Sequence, residues 1–330
     1  MILARLETQL KRAGLDRYMM TLILTVLMAT FLPARGQFAD MLRDVTYWAV
    51  ALLFFLYGAK LSTATIISGF ANWKLQVGVL LCTFAVFPLL GLVMKPLSAM
   101  WLPAAVGVGF LYIGCMPSTV QSSIAFTSIS NGNVAGAVCA ASISNLVGVV
   151  LSPLLFAMLI PQGAGYGVEA SAIWRIMQQI LLPFVLGQFC RPLLSGFLNR
   201  HKLPTMIVDR GSILLIVYSA FSAGVVNGIW QIISPQALAM LIGLCIFYLG
   251  IVMTITITTA KVARMNRADL LALFYCGSTK SLATGLPMAG ILFAGQDISL
   301  IVLPLMLFHL IQLVICALIS QRYAVPAVAG

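Results

Sequence analysis

Charge is scarce in this sequence. Only 8% of its 330 residues are Asp, Glu, Lys or Arg, against about 25% in an ordinary soluble domain. Acids are the rarer kind: Glu7, Asp16, Asp40, Asp44, Glu169, Asp209, Asp269 and Asp297. With 61% hydrophobic residues, a water-soluble fold would leave much of its apolar surface facing solvent. The bilayer is the solvent that suits it. Histidine is limited to two positions, so an intramembrane enzyme finds few acid–base groups or metal ligands at depth. None of the seven cysteines forms a C-x-x-C pair, which argues against a zinc or redox centre. All lie inside or beside apolar runs and read as small packing residues. The alternating pattern of a β-barrel is missing as well.

Long continuous apolar runs are what the sequence has. They predict ten spans, at 18–33, 45–60, 75–94, 104–129, 133–160, 172–195, 210–230, 236–260, 269–293 and 298–320, each near the length a bilayer requires. The expected fold is an all-α membrane protein with ten transmembrane helices. Residues 1–17 are expected to form a cytoplasmic segment, either a short interfacial helix with Ile2, Leu3, Leu6 and Leu10 on one face or a disordered tail. Residues 321–330 form a cytoplasmic tail.

The net charge of +11 is distributed as a topology signal. Its basic residues sit in short loops without an aromatic-interleaved basic face, so nucleic acid is not an expected partner. With the N-terminus inside, the cytoplasmic segments carry fourteen Lys and Arg, Arg210 among them, and the outer segments four. That bias places both termini in the cytoplasm. The one basic residue left over, Lys280, falls inside the ninth span.

Two polar clusters interrupt the apolar runs. In the fourth span Pro117 removes a backbone donor, and Ser118, Thr119, Gln121, Ser122 and Ser123 follow it. In the ninth, Gly277 and Gly285 flank Ser278, Thr279, Lys280 and Ser281, with Pro287 beyond. The order Cys115-Met116-Pro117-Ser118-Thr119 is echoed by Cys276-Gly277-Ser278-Thr279. Two five-span halves, 18–160 and 172–320, must run inverted to one another, and broken helices at matching places in inverted repeats point to a transporter's central site. The hydroxyls line a solute path, or they cap a kink and join helices. Lys280 has no carboxylate within a span to pair with. It holds an anionic solute or exchanges a proton, or it donates to carbonyls freed by a crossed helix. Asn145 in the fifth span, and His309 and Gln312 on one face of the tenth, are further candidates.

The segments GCMPSTVQSS, NGNVAGAV, SPLL (152–155) and GSTKSLATGLPMA resemble the bile acid:sodium symporter family, closest to its SBF-like bacterial branch. The likeness covers essentially the whole chain. It implies a panel domain and a core domain, with interrupted helices four and nine crossing in the core and solute bound beside the crossing. It also exposes departures. The family's Ser-Asn pair of span four falls on Ser122 and Ser123, its span-five hydroxyls near Ala137 and Ala141, and its span-nine glutamate near Tyr275. The glutamine and asparagine after that glutamate fall near Thr279 and Lys280, and the span-three glutamine near Thr83. Sodium is the cofactor the family implies, but its usual ligands are not matched and no other metal or cofactor is expected. The expected function is secondary transport of a small organic anion across a bacterial inner membrane, with Lys280 replacing the sodium ion. The alternative is a ligand sensor on the same scaffold. Substrate, coupling ion and oligomeric state are left open.

Overall fold

The structure, a computed structural model, describes residues 17–60, 72–160, 174–175, 177–226, 228, 231, 233–293 and 298–323. The expected interfacial helix before Arg17 and the tail beyond Tyr323 lie outside the described residues. Within them all regular structure is helical. The helices are α1 Arg17–Phe31, α2 Gly36–Lys60, α3 Trp73–Ala99, α4 Ala104–Cys115, α5 Gln121–Ile129 and α6 Val134–Leu159. They continue with α7, a π-helical turn Met177–Leu181 running into Leu182–Arg200, then α8 Lys202–Val226 and α9 Pro235–Val262. The last are α10 Arg267–Ser278, α11 Leu282–Leu292 and α12 Ser299–Tyr323.

Local chemistry sets several helix starts. Asn133 accepts from the Gly136 amide, Ser234 from Ala237 and Asn266 from Asp269, each satisfying a first-turn donor that the helix cannot. Pro235 stands at the first position of α9, where a missing N–H costs nothing. Six helical stretches, drawn from α3, α6, α7, α8, α9 and α12, are long and apolar enough to cross a membrane, and α4 is a shorter apolar helix. Their outward surfaces carry large exposed apolar side chains such as Phe31, Trp48, Met158 and Leu193, which suit lipid and not water.

Two expected boundaries are corrected. The second span was expected from residue 45, but α2 begins at Gly36, where Asp40 and Arg43 pair at 3.2 Å on an exposed turn. The seventh was expected over 210–230, but α8 begins at Lys202; it is described to Val226, and residues 227, 229 and 230 lie outside the described residues. An apolar window stops at charged residues such as Asp44 and Asp209, whether or not the helix does. The consequence is largest for Arg210, which lies two turns inside α8 and not at its first residue. The expected fourth and ninth spans are each interrupted, as α4–α5 and α10–α11.

The helices pack in two groups. One holds α1, α2, α7 and α8; the other holds α3 to α6 and α9 to α12. Among the described residues, the main contacts between the groups are α8 against α11 and α12, and α6 against the first turn of α7. Within the first group, α2 and α7 cross at backbone distance. A Cβ on Gly58 would lie 2.0 Å from the Phe184 carbonyl oxygen, and one on Gly187 would lie 2.0 Å from that of Phe55. Two backbones this close leave no room for any side chain, so glycine is required on both helices.

Gly58→Ala or Gly187→Ala must therefore push α2 and α7 apart. The expected cost is about 1–3 kcal/mol or more, the range of overpacked cores. A thermal melt of the detergent-solubilised protein should show a lower midpoint for each variant, and an unchanged midpoint would show that the two helices do not cross as described.

Candidate functional site

The two interruptions meet in the interior of the second helix group. Pro117 and the extended backbone at Met116 end α4, and extended backbone at Thr279 ends α10. The break segments touch directly: the Ser281 amide donates to the Pro117 carbonyl at 2.9 Å, and the Ser118 hydroxyl donates to the Cys276 carbonyl. Thr119, Ser123 and Thr279 share hydroxyl–hydroxyl bonds of 2.6–2.9 Å across the junction. Thr279 also donates to the Tyr275 carbonyl at 2.8 Å.

Each break is clamped by side chains from a neighbouring long helix. The Ser118 amide donates to Ser144 Oγ at 3.1 Å, and its carbonyl accepts from Asn145 Nδ2 at 2.7 Å. The Lys280 amide donates to Gln312 Oε1, and its carbonyl accepts from Gln312 Nε2, both at 2.8 Å. A peptide unit released from a helix needs both partners replaced, and α6 and α12 do this in the same way. The clamped residues are Ser118 and Lys280, so the two breaks correspond there. The sequence echo, which pairs Cys115 with Cys276, is offset: Cys115 is the last residue of α4, whereas α10 continues to Ser278.

Lys280 is 0% exposed, and its ammonium lies in a cage of carbonyls. Nζ donates to the carbonyl oxygens of Thr83 at 2.8 Å, Gly114 at 2.9 Å and Met116 at 2.6 Å, and lies 4.0 Å from the centroid of the Phe87 ring. Each carbonyl is free for a local reason. In α3 a π turn over Cys82–Val86 sends the Phe87 amide to the Cys82 carbonyl, past Thr83. The next residue, Pro88, has no N–H to offer. Gly114 loses its helical donor because the Ser118 amide turns to Ser144. Met116 lies in the break itself. Three ammonium donors meet three orphan acceptors, and the ring face adds attraction for the cation.

A cavity of about 590 Å³ lies between the two helix groups, beside the breaks. The first group contributes Phe54, Tyr57 and Lys60 from α2, Phe184 from α7, and Arg210 and Ile213 from α8. The second contributes residues of α5, α6, α11 and α12. Of the expected site residues, Thr119, Gln121, Ser122, Asn145, Ser281 and His309 line it. The others stand behind that wall. Pro117 packs its ring toward Gly148, Ser118 and Gln312 hold the clamps, and Ser123 and Thr279 belong to the hydroxyl cluster. Gly277 sits close to Thr256 and Cys82, and Ser278 turns back to the Phe274 carbonyl of its own helix. Lys280 itself does not reach the cavity. All its donors are spent on backbone carbonyls, the arrangement that the sequence left open beside a solute-facing one. His309 joins the two regions, because it lines the cavity while its Nδ1 lies 3.1 Å from the Lys280 carbonyl and 2.9 Å from Gln312 Nε2.

The side chains at the junction do not fit a sodium ion. Tyr275 has no carboxylate to offer and instead shares a hydroxyl bond with Ser130 at 2.7 Å. Ala137 and Ala141 present no oxygen from their side chains, and the Thr83 carbonyl is already held by an ammonium.

Sequence reasoning passed over Lys60 and Arg210, which stood at span ends and were counted only as cytoplasmic charges. Thr83 was noticed only through the family likeness. A signal for it was nonetheless present, since a proline five residues after Thr83 leaves a π turn with an unclaimed carbonyl.

Helices interrupted in pairs around a clamped crossing, beside a solute-sized cavity in an apolar bundle, define a multi-pass membrane transport protein. The chain belongs to the SBF-like CPA transporter family, which it matches over residues 16–325. It is 46% identical over 309 residues to protein PA2026 of Pseudomonas aeruginosa, covering 94% of this chain and 93% of that one. It is also 46% identical over 314 residues to a protein of Escherichia coli (strain K12) provisionally named symporter YfeH, again covering 94% and 93%. Sodium/bile acid cotransporter 7 of Rattus norvegicus is 28% identical over 313 residues, covering 93% and 92%.

Lys280→Met should leave three buried carbonyls without donors, at about 1–3 kcal/mol each. Gln312→Met should strand one amide and one carbonyl at the same unit cost. Both are expected to lower the melting midpoint markedly, whereas Gln121→Ala, at an exposed position, should change stability by no more than about 0.5 kcal/mol. Equal midpoints for all three would contradict the cage and the clamp.

Proposed function

We propose that the protein is a secondary transporter that carries an organic, anionic solute by alternating access. It is built from two inverted five-helix halves, 18–160 and 172–320. It lies in a bacterial inner membrane with both termini cytoplasmic, and it works without sodium. Proton coupling or facilitated transport then remains for it.

The observation that carries this reading is the caged ammonium of Lys280. Bound sodium wants several oxygen ligands, and here three carbonyl oxygens surround a cation that is covalently part of the chain. A tethered charge supplies the field of a coupling ion without an ion to bind or release. The matched clamps on Ser118 and Lys280 support the inverted halves. The names of the related symporters support a small solute as cargo.

The cavity gives the state. It extends from the break residues to the ends of α2, α5 and α12 at Lys60, Ile129 and Gln321. From His309 to Gln321 along α12 this is about 18 Å at 1.5 Å per residue. The positive-inside bias assigns those helix ends to the cytoplasm, so the cavity is open inward.

The test is a thermal-shift screen of organic anions in sodium chloride and in choline chloride, followed by flux of the stabilising anions into proteoliposomes. Binding and flux should be alike in both salts, and steep sodium dependence with Lys280 intact would end the reading. Lys280→Ala empties the cage, so its melting midpoint should rise with added sodium or methylammonium while that of the wild type stays put.

A further inference from the structure

We propose that Lys60 of α2 and Arg210 of α8 together anchor the acid group of the solute, which is an amphipathic organic acid. The inference rests on the transporter reading for its premise that this cavity is the solute's site. It goes beyond that reading by naming which side chains hold the charged end, and where.

Charge comes first. Lys60 and Arg210 line the cavity, and no Asp or Glu does so among the described residues. A concave, largely apolar site lined by one sign of charge concentrates ions of the opposite sign. Arg210 is half-buried and Lys60 is exposed at the end of its helix. Guanidinium presents a planar fork that matches carboxylate, sulfonate or phosphate, and the lysine adds a mobile point charge at the rim.

The opposite wall has little left to give. The Thr119 hydroxyl is engaged with Ser123 and Thr279, and the Ser281 hydroxyl with Thr284. The Asn145 amide donates to the Ser118 and Ala141 carbonyls while its oxygen accepts from Thr284. An acid group placed there would meet hydroxyls and amides already bound to one another. Lys60 and Arg210 bring full positive charge to the cavity, and by charge alone theirs is the favourable end for it. The rest of the lining is aromatic and aliphatic, with Phe54, Phe126, Phe184, Ile213 and Leu313 available to an apolar body. A volume of about 590 Å³ falls within the range of pockets that hold drug-sized ligands.

The anchor and the breaks belong to different helix groups. A solute held by Arg210 and resting on Thr119 and Ser281 therefore bridges the divide that alternating access must shift.

The experiment uses the purified full chain. Naphthalene-2-sulfonate, naphthalene-2-carboxylate and naphthyl phosphate are compared with naphthalene-2-carboxamide and 2-naphthylmethylammonium in a thermal-shift titration. At least one acid should stabilise the wild type, and the neutral and cationic analogues should not. Lys60→Gln and Arg210→Gln should each weaken acid binding about tenfold or more, the worth of one hydrogen bond to a charged group. Lys60→Arg and Arg210→Lys should retain most of it. If ligand-free Arg210→Gln melts early, the exposed Lys60 pair of variants decides. The anchor is overturned if no acid stabilises the wild type, if the carboxamide binds as well as the acids, or if both Gln variants bind acids unchanged. Flux in proteoliposomes separates this from the parent reading. An acid that binds through Lys60 and Arg210 but never crosses leaves the anchor standing and removes the transporter reading. An acid carried equally well by both Gln variants does the reverse.

Discussion

The interior of this protein depends on one ammonium group finding three carbonyls. A lysine buried in an apolar bundle is costly, and so is a carbonyl with no donor. Either defect alone would be a liability. Placed together at 2.6–2.9 Å, each removes the other. The carbonyls come from α3, from the end of α4 and from the break after it, so a single side chain on the α10–α11 break ties three places in the chain to a fourth. This is why two helices can stay broken inside a membrane protein without water to satisfy them.

The same accounting explains the surrounding architecture. Where backbone groups are released, a side chain of fixed reach takes them up: Ser144 and Asn145 for Ser118, Gln312 for Lys280. These donors and acceptors come from long, continuous helices, which hold the breaks in place from outside. Close helix approach then follows from small residues. Gly148 admits the Pro117 ring, as Gly58 and Gly187 admit each other's backbones. The cavity forms where such locking is absent, along the thinly connected boundary between the two helix groups.

Much of this was legible in the order of residues, and the rest was hidden for identifiable reasons. Apolar runs announced helices, and Pro117 and the Gly277–Ser281 cluster announced the interruptions, because both signals are local. Lys280 stood out as the one basic residue that the topology count left over, deep inside a span. What the sequence could not say was where its ammonium points. That is decided by Thr83 and Gly114, which lie 197 and 166 residues away. Arg210 was placed at the start of its span because the charges of Lys202 and Asp209 end the apolar run there, whereas α8 begins two turns earlier with Leu203, Met206 and Ile207 exposed. Ser278 read as a site hydroxyl by its neighbours but spends itself on its own helix, a choice of rotamer with no trace in composition.

A cation bolted to the chain has an electrical consequence that an exchangeable ion does not. Sodium entering with an anion would cancel its charge and be left behind on the far side. A fixed ammonium returns with every cycle, loaded or empty, and so cancels nothing in the net movement. If no proton accompanies the cargo, each turnover is electrogenic, and an inside-negative membrane adds about 2.3 kcal/mol per 100 mV to the outward passage of each negative charge. Under the proposed sodium-free reading, the membrane voltage therefore opposes an anion's entry and favours its exit.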